Sequence, residues 1–117
     1  MARKSIAEMS FSQVYPLLVR KAERKGRTRG EVDEVIFWLT GYTAEMVEQC
    51  IARDMTYGDF FAQAPHLNAD RALIRGVVCG VRVEAIEDEP MRTIRCLDKM
   101  VDELARGKPM EKILRKS

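Results

Sequence analysis

The chain has a single histidine, three cysteines and four prolines in 117 residues, and no apolar run approaches the roughly 18 residues that a membrane span requires. Each shortage excludes something. His66 alone rules out a histidine-rich metal centre within one chain. Cys50, Cys79 and Cys96 are odd in number and far apart in sequence, without the close pairing of a structural zinc site, so reduced core thiols are expected rather than a disulfide framework. No metal or cofactor is expected. Glycine-rich phosphate loops (GxGxxG, Walker type) and the GxSxG nucleophile motif are missing, so no catalytic residue is assigned. MARKSIAEMSF has basic residues but neither the apolar run nor the small-residue cleavage site of a secretory signal, which makes the cytoplasm the expected compartment, with no membrane partner.

What is present suits one compact domain. With 46% hydrophobic and 32% charged residues and a net charge of only +2, the composition is neither that of a disordered chain nor basic enough overall to imply nucleic acid. The pattern predicts a mainly α bundle of about five or six helices, with residues 1–10 a loose N-terminal arm and 11–117 a single helical domain. Pro16 suits a first helical turn, starting a helix that runs to Lys25 with Gly26 beyond it. Thr28 and Glu31 have capping-box spacing ahead of Val32, Val35, Ile36 and Leu39 at i, i+3, i+4 and i+7, and Gly41 ends that helix. Thr43 and Thr56 read as caps of two further helices, the second stopped by Pro65. Asp88 and Pro90 begin a long helix ending at Gly107, and Pro109 restarts a short one. Residues 68–86 read as a helix capped by Asn68. The β-branched alternation over residues 76–86 leaves a strand as the alternative.

The charge that exists is concentrated. Between Arg20 and Arg29 stand six basic residues against one acid, Glu23. Arg20, Lys21, Arg24, Lys25, Arg27 and Arg29 form a candidate basic rim, read first as solvation of a helix end and a loop, and second as a phosphate-attracting patch for sequence-independent nucleic-acid contact. A DNA-reading helix-turn-helix around Gly41 is opposed by the bulk of Phe37 at the crossing and by Glu45 and Glu48 on the would-be reading helix.

Three stretches, VYPLLVRKAERKGRTRGEVDEVIFWLTGY, FFAQAPHLNADRALIRGVVCGVRVEAIEDEPM and LDKMVDELARGKPMEKILRK, together cover most of the chain. In their order and wording they resemble the small uncharacterised bacterial family called domain of unknown function 2200. The resemblance implies bacterial origin and a single-domain architecture, and it brings no activity.

Two functional readings remain. The first is a non-catalytic helical interaction module, meeting a protein partner or a second copy of itself through an apolar helix face and the basic rim around Lys21, Arg24, Lys25 and Arg27. The second is a small-molecule-binding protein or enzyme with a pocket beside FFAQAP, formed from Trp38, Tyr42, Tyr57, His66, Arg75 and Cys79. Cys79 between Gly76 and Gly80, near Arg75 and Arg82, is its nucleophile candidate, although a cysteine among valines is more often a small core hydrophobe.

Overall fold

The structure, a computed structural model, describes residues 6–78 and 80–116. Among these, six α-helices carry the fold: α1 (Phe11–Glu23), α2 (Arg29–Thr40), α3 (Ala44–Ala52), α4 (Tyr57–Ala62), α5 (Met91–Ala105) and α6 (Met110–Ile113). A two-stranded antiparallel hairpin, β1 (Val77–Val78) and β2 (Val81–Arg82), lies between α4 and α5, with Val77 opposite Arg82 and Val78 opposite Val81. The expected mainly α bundle is what the chain forms.

The helix starts follow local chemistry. Thr28 Oγ1 accepts from the Glu31 amide at 3.2 Å while Glu31 Oε1 accepts from the Thr28 amide at 3.0 Å, which closes the capping box of α2. Thr43 and Thr56 likewise accept from the amides of Met46 and Asp59, at 3.2 and 3.1 Å. Each such cap stabilises its helix by about 1 kcal/mol. At the other end of α2, Gly41 sits at φ 78. The amides of His66 and Asn68 donate to the carbonyls of Thr40 and Leu39 at 3.0 and 2.9 Å, so the segment after Pro65 satisfies the exposed end of α2.

Two expectations about the N-terminal region need correction. α1 begins at Phe11, not at Pro16, and Pro16 lies inside it. Burial of Phe11, Val14, Tyr15, Leu18, Val19 and Ala22 along one face holds the helix together. The hydrogen bond that Pro16 cannot donate is lost on the exposed side, where water can reach. The segment read as a loose arm is docked from Ile6 onward. Ile6–Glu8 makes a 3₁₀ turn, Ser10 bridges Thr56, and the Phe11 and Tyr57 amides donate to Met55 and Met9 carbonyls, each at 2.7 Å. Residues 1–5 lie outside the described residues.

The segment 68–86 is also not the helix expected. Among its described residues only two short 3₁₀ turns are helical, Ala69–Leu73 and Val83–Ala85, the first capped by Asn68, whose Oδ1 accepts from the Asp70 amide at 2.9 Å. Gly76 and Gly80 take φ of 111 and 76, which no α-helix accommodates. The alternative strand reading holds in part, because β1 and β2 of the same segment pair with each other. Lys99 lies across Gly76, with Nζ donating to the Val77 carbonyl at 3.3 Å, where a Cβ on Gly76 would sit 3.2 Å from Lys99 Cε.

α5 is the axis of the core and packs against α1, α2, α4, α6 and β1. Ile94, Leu97, Met100, Val101 and Leu104 are fully buried on it. Beside it, Phe11 stacks on Phe60 at 3.9 Å between ring centroids, and Tyr42 also stacks on Phe60, at 4.6 Å. Tyr42 Oη donates to the Phe60 carbonyl at 2.6 Å, giving the ring a polar anchor inside the core. At the far end of α5, buried Glu103 accepts from Arg115 at 2.8 and 2.7 Å and from Lys108 at 3.2 Å. Burial alone would push that carboxyl up, but the two cations outweigh it and hold it below the usual carboxylate range. This network ties the residues after α6 to α5.

Candidate functional site

α1 and α5 lie side by side, and a furrow runs between them. Its first part is a hollow of about 230 Å³ lined by Ile6, Met9, Val14, Leu17, Leu18, Lys21, Arg95 and Asp98. Its second part, about 350 Å³, is lined by Lys21, Arg24, Lys25, Asp102, Ala105 and Arg106. Lys21 lines both, so the two adjoin there. Residue numbers rise together along both walls, so the helices point the same way. The upper furrow is apolar, and Leu17 leaves 53% of its surface to solvent there. The lower furrow carries Lys21, Arg24, Lys25 and Arg106 against one carboxylate, Asp102.

The parallel packing explains the basic run. The carbonyl ends of α1 and α5 come together, and cations there oppose two helix dipoles. Lys21 and Arg106 pair with Asp102 at 3.4 and 2.9 Å. The six rim residues nevertheless differ in what they do. Arg20, Arg24 and Lys25 are exposed. Arg29 is exposed but donates to Tyr15 Oη at 2.9 Å and lies over the Tyr15 ring at 5.4 Å. Arg27 is turned inward: its Nη1 donates to the carbonyls of Leu104 and Lys108 at 3.2 and 2.9 Å, and Glu31 grips the other edge of the guanidinium. It caps the end of α5 from another helix. Sequence spacing held no signal for this, since 77 residues separate Arg27 from Leu104.

On the furrow wall, Asp98 is buried and accepts from Arg95 at 2.9 Å. Burial pushes the Asp98 carboxyl up, and Arg95 recovers only part of that shift. The Asp98 charge also reaches Tyr57, which is fully buried and whose hydroxyl has no hydrogen-bond partner among the described residues.

The described residues of the candidate pocket are dispersed. Tyr57 is in the core. Tyr42 is buried beside Cys50 and lines a hollow of about 140 Å³ with Met46, Gln49, Cys50, Arg53, Met55 and Gln63. Trp38 is half-buried, and its carbonyl accepts from Asn68 Nδ2 at 3.2 Å. His66 is exposed and serves α2 through its backbone amide. Arg75 is exposed on the approach to the hairpin. Cys79 lies outside the described residues, and with it the nucleophile reading. Cys50 and Cys96 are buried free thiols, both shifted up by burial, Cys96 to about 11. Neither is a thiolate at neutral pH.

Residues 5–115 match the family model described as an uncharacterized protein conserved in bacteria, DUF2200. The chain belongs to this family. A crystal structure of uncharacterized protein SP1917 is 48% identical over 97% of this chain and 93% of that one, and superimposes with a TM-score of 0.89. Comparison with curated proteins gives no match. For this DUF2200 member, function must therefore be read from its surface. No group of three or more His, Cys, Asp or Glu side chains able to hold a metal occurs among the described residues, and no helix there is long and apolar enough to cross a membrane.

Proposed function

We propose that this protein is a non-catalytic helical interaction module that receives an acidic amphipathic helix of a protein partner in the α1–α5 furrow. The observation that carries this reading is that the apolar hollow at Leu17 adjoins, at Lys21, the basic hollow at Arg24, Lys25 and Arg106. An apolar groove offers purchase to one stripe of a helix, and a cationic end sets its direction by attracting carboxylates. Met9 and Leu17 are unbranched at Cβ and can adjust to the incoming side chains. A second copy of this chain fits less well, because the carboxylates that line the furrow, Asp98 and Asp102, already have partners on the same wall.

The test is fluorescence anisotropy with two designed amphipathic helical peptides sharing one leucine stripe, flanked by glutamates in one and by lysines in the other. The glutamate peptide is expected to bind more tightly, to weaken as salt rises, and to lose tenfold or more in affinity on Leu17→Lys and on the triple change of Lys21, Arg24 and Lys25 to Ser. Equal binding of both peptides, or of neither, would overturn the proposal. So would native masses at whole multiples of 13.4 kDa that collapse to one on Leu17→Lys, since the furrow would then belong to a second copy. Single-stranded DNA bound in a manner indifferent to Leu17→Lys but lost in the triple variant would replace it with sequence-independent nucleic-acid binding.

A further inference from the structure

The arginines of the described chain sort by burial and by partner. Arg20, Arg24, Arg53 and Arg75 have no carboxylate but are exposed, and water solvates them. Arg27, Arg95 and Arg115 are half-buried, and each holds a carboxylate: Glu31, Asp98 and Glu103. Arg71 and Arg92 are also half-buried, yet neither pairs with a carboxylate among the described residues. Arg71 Nη1 donates to the Asn68 carbonyl at 2.9 Å, which fixes the guanidinium and leaves most of its donors free. A partly desolvated guanidinium without a close ion pair is costly, and two such groups stand in one place.

That place is a depression at the start of α5, made of two adjoining hollows. One, about 310 Å³, is lined by Ala69, Arg71, Ala72, Glu89 and Arg92. The other, about 270 Å³, is lined by Phe61, Ala62, Leu67, Arg71, Glu89 and Pro90, and its surface is mostly apolar. Arg71 and Glu89 belong to both and stand where the two halves meet. Glu89 Oε2 accepts from Thr93 Oγ1 at 2.6 Å, which steadies the carboxylate and leaves Oε1 free. The depression thus combines two free guanidiniums, one carboxylate and an apolar recess. Each half is near the lower limit of about 300 Å³ for small-molecule sites, so the ligand must be small.

We propose that this depression binds a small zwitterion with an apolar body, the chemistry of an apolar α-amino acid. Its carboxylate is taken by Arg71 and Arg92, whose planar forks suit two oxygens. Its ammonium faces Glu89, which would repel a doubly charged anion such as phosphate. Its side chain occupies the recess of Phe61, Ala62, Leu67 and Pro90. Binding here is independent of the furrow. The depression adjoins FFAQAP, where a pocket is expected from the sequence, but Arg71, Glu89 and Arg92 form it in place of Tyr57, His66 and Arg75.

The experiment is a titration of the ¹⁵N-labelled full chain followed by amide NMR shifts. The probes are L-leucine, L-phenylalanine, 4-methylpentanoate (leucine without its amine), isoamylamine (leucine without its carboxylate) and inorganic phosphate. The amino acids are expected to shift amides around Phe61, Leu67, Arg71, Glu89 and Arg92 with dissociation constants of about 1 mM or tighter. Arg71→Gln and Arg92→Gln should each weaken leucine tenfold or more, and Glu89→Gln should abolish the preference for leucine over 4-methylpentanoate. The proposal is overturned if none of the probes moves these amides in the unmodified chain, if phosphate moves them as strongly as leucine, or if leucine binds both arginine variants undiminished. The unmodified chain alone decides the first two outcomes, so a misfolded variant cannot mask failure.

Discussion

Arg27→Ala tests whether the basic run is one recognition surface or a mixture of roles. The Arg27 side chain is 16% exposed and joins four hydrogen bonds, two to carbonyls at the end of α5 and two to Glu31. Hydrogen bonds to a charged donor contribute roughly 1.5–3 kcal/mol each where water is kept out. Glu31 is 27% exposed and retains the Thr28 amide, so losing Arg27 leaves it solvated and still capping. The two carbonyl bonds therefore set the scale. Partial rehydration of a helix end discounts them to a total loss of about 2 kcal/mol. Arg24→Ala and Lys25→Ala, exposed on the same helix end, should change stability by no more than about 0.5 kcal/mol. Urea unfolding followed by circular dichroism would show the midpoint of Arg27→Ala falling at unchanged slope, and thermal unfolding would show a loss of about 8 °C for a domain of this size. Arg27→Lys keeps the charge without the fork and should recover little. If Arg27→Ala proves no less stable than Arg24→Ala, water caps α5 unaided and the inward role assigned to Arg27 is refuted.

Gly41→Ala should destabilise by at least about 2 kcal/mol, because an L-residue at φ 78 is strained and the new Cβ would lie 3.0 Å from the His66 amide nitrogen. Gly107→Ala, at φ 90 with open space around it, is the control, and equal losses in urea unfolding would show that the approach of His66 does not matter. Stability should fall above about pH 10, the ordinary tyrosine range. All three tyrosines are shifted up by burial, Tyr15 to about 12 with a further push from its hydrogen bond to Asp33. The folded chain holds these protons more tightly than the unfolded one, so the stability they contribute is complete below about pH 10 and drains away as pH rises through the folded values. Tyrosinate absorbance at pH 10 should be absent in the native protein and present in urea, and a native signal at that pH would contradict the burial.

The parts of the fold that were legible in the sequence are those fixed by neighbours in the chain. Thr28 with Glu31, Thr43, Thr56, Gly41 and Gly107 announce helix ends because a cap needs only a side chain and an amide two or three residues away. Pro16 misled because a proline is equally compatible with a first turn and with the exposed side of a helix whose other face is buried. That face, Phe11 to Ala22, was the stronger determinant. Residues 68–86 misled because the valines allowed two periodicities, and the positive φ of Gly76 and Gly80 depends on a hairpin that folds back on itself. The rim was visible as charge, but which of its members work inside the molecule was not. Arg27 acquires its role from the end of a helix 77 residues away. The depression drew on three separate stretches, around Phe61, Arg71 and Arg92, and unpaired burial is a property of the folded surroundings that no spacing reports.

The two proposed surfaces meet on α5, and this bears on how they can act. The depression uses Glu89 and Arg92 at the start of the helix, whereas the furrow runs from Arg95 to Arg106. Arg92 and Arg95 are one helical turn apart, so the depression adjoins the apolar end of the furrow, while the basic end at Arg106 lies about 21 Å from Arg92 along α5. α5 is buried along most of its length and pinned at its far end by Arg27 from outside and by Glu103 with Arg115, which leaves it little room to shift as a whole. Coupling between distant sites needs an element with two arrangements of comparable energy, and a close-packed central rod is a poor one. Where it approaches the furrow most closely, however, the packing is imperfect. Asp98 on the furrow wall is buried, with its carboxyl shifted up by that burial, and the Tyr57 hydroxyl lacks a partner among the described residues. An unsatisfied buried hydroxyl costs roughly 1–3 kcal/mol. That cost marks Tyr57, whose phenol also feels the Asp98 charge, as the least satisfied part of the core beside α5, while the length of the helix keeps the depression apart from the basic end of the furrow.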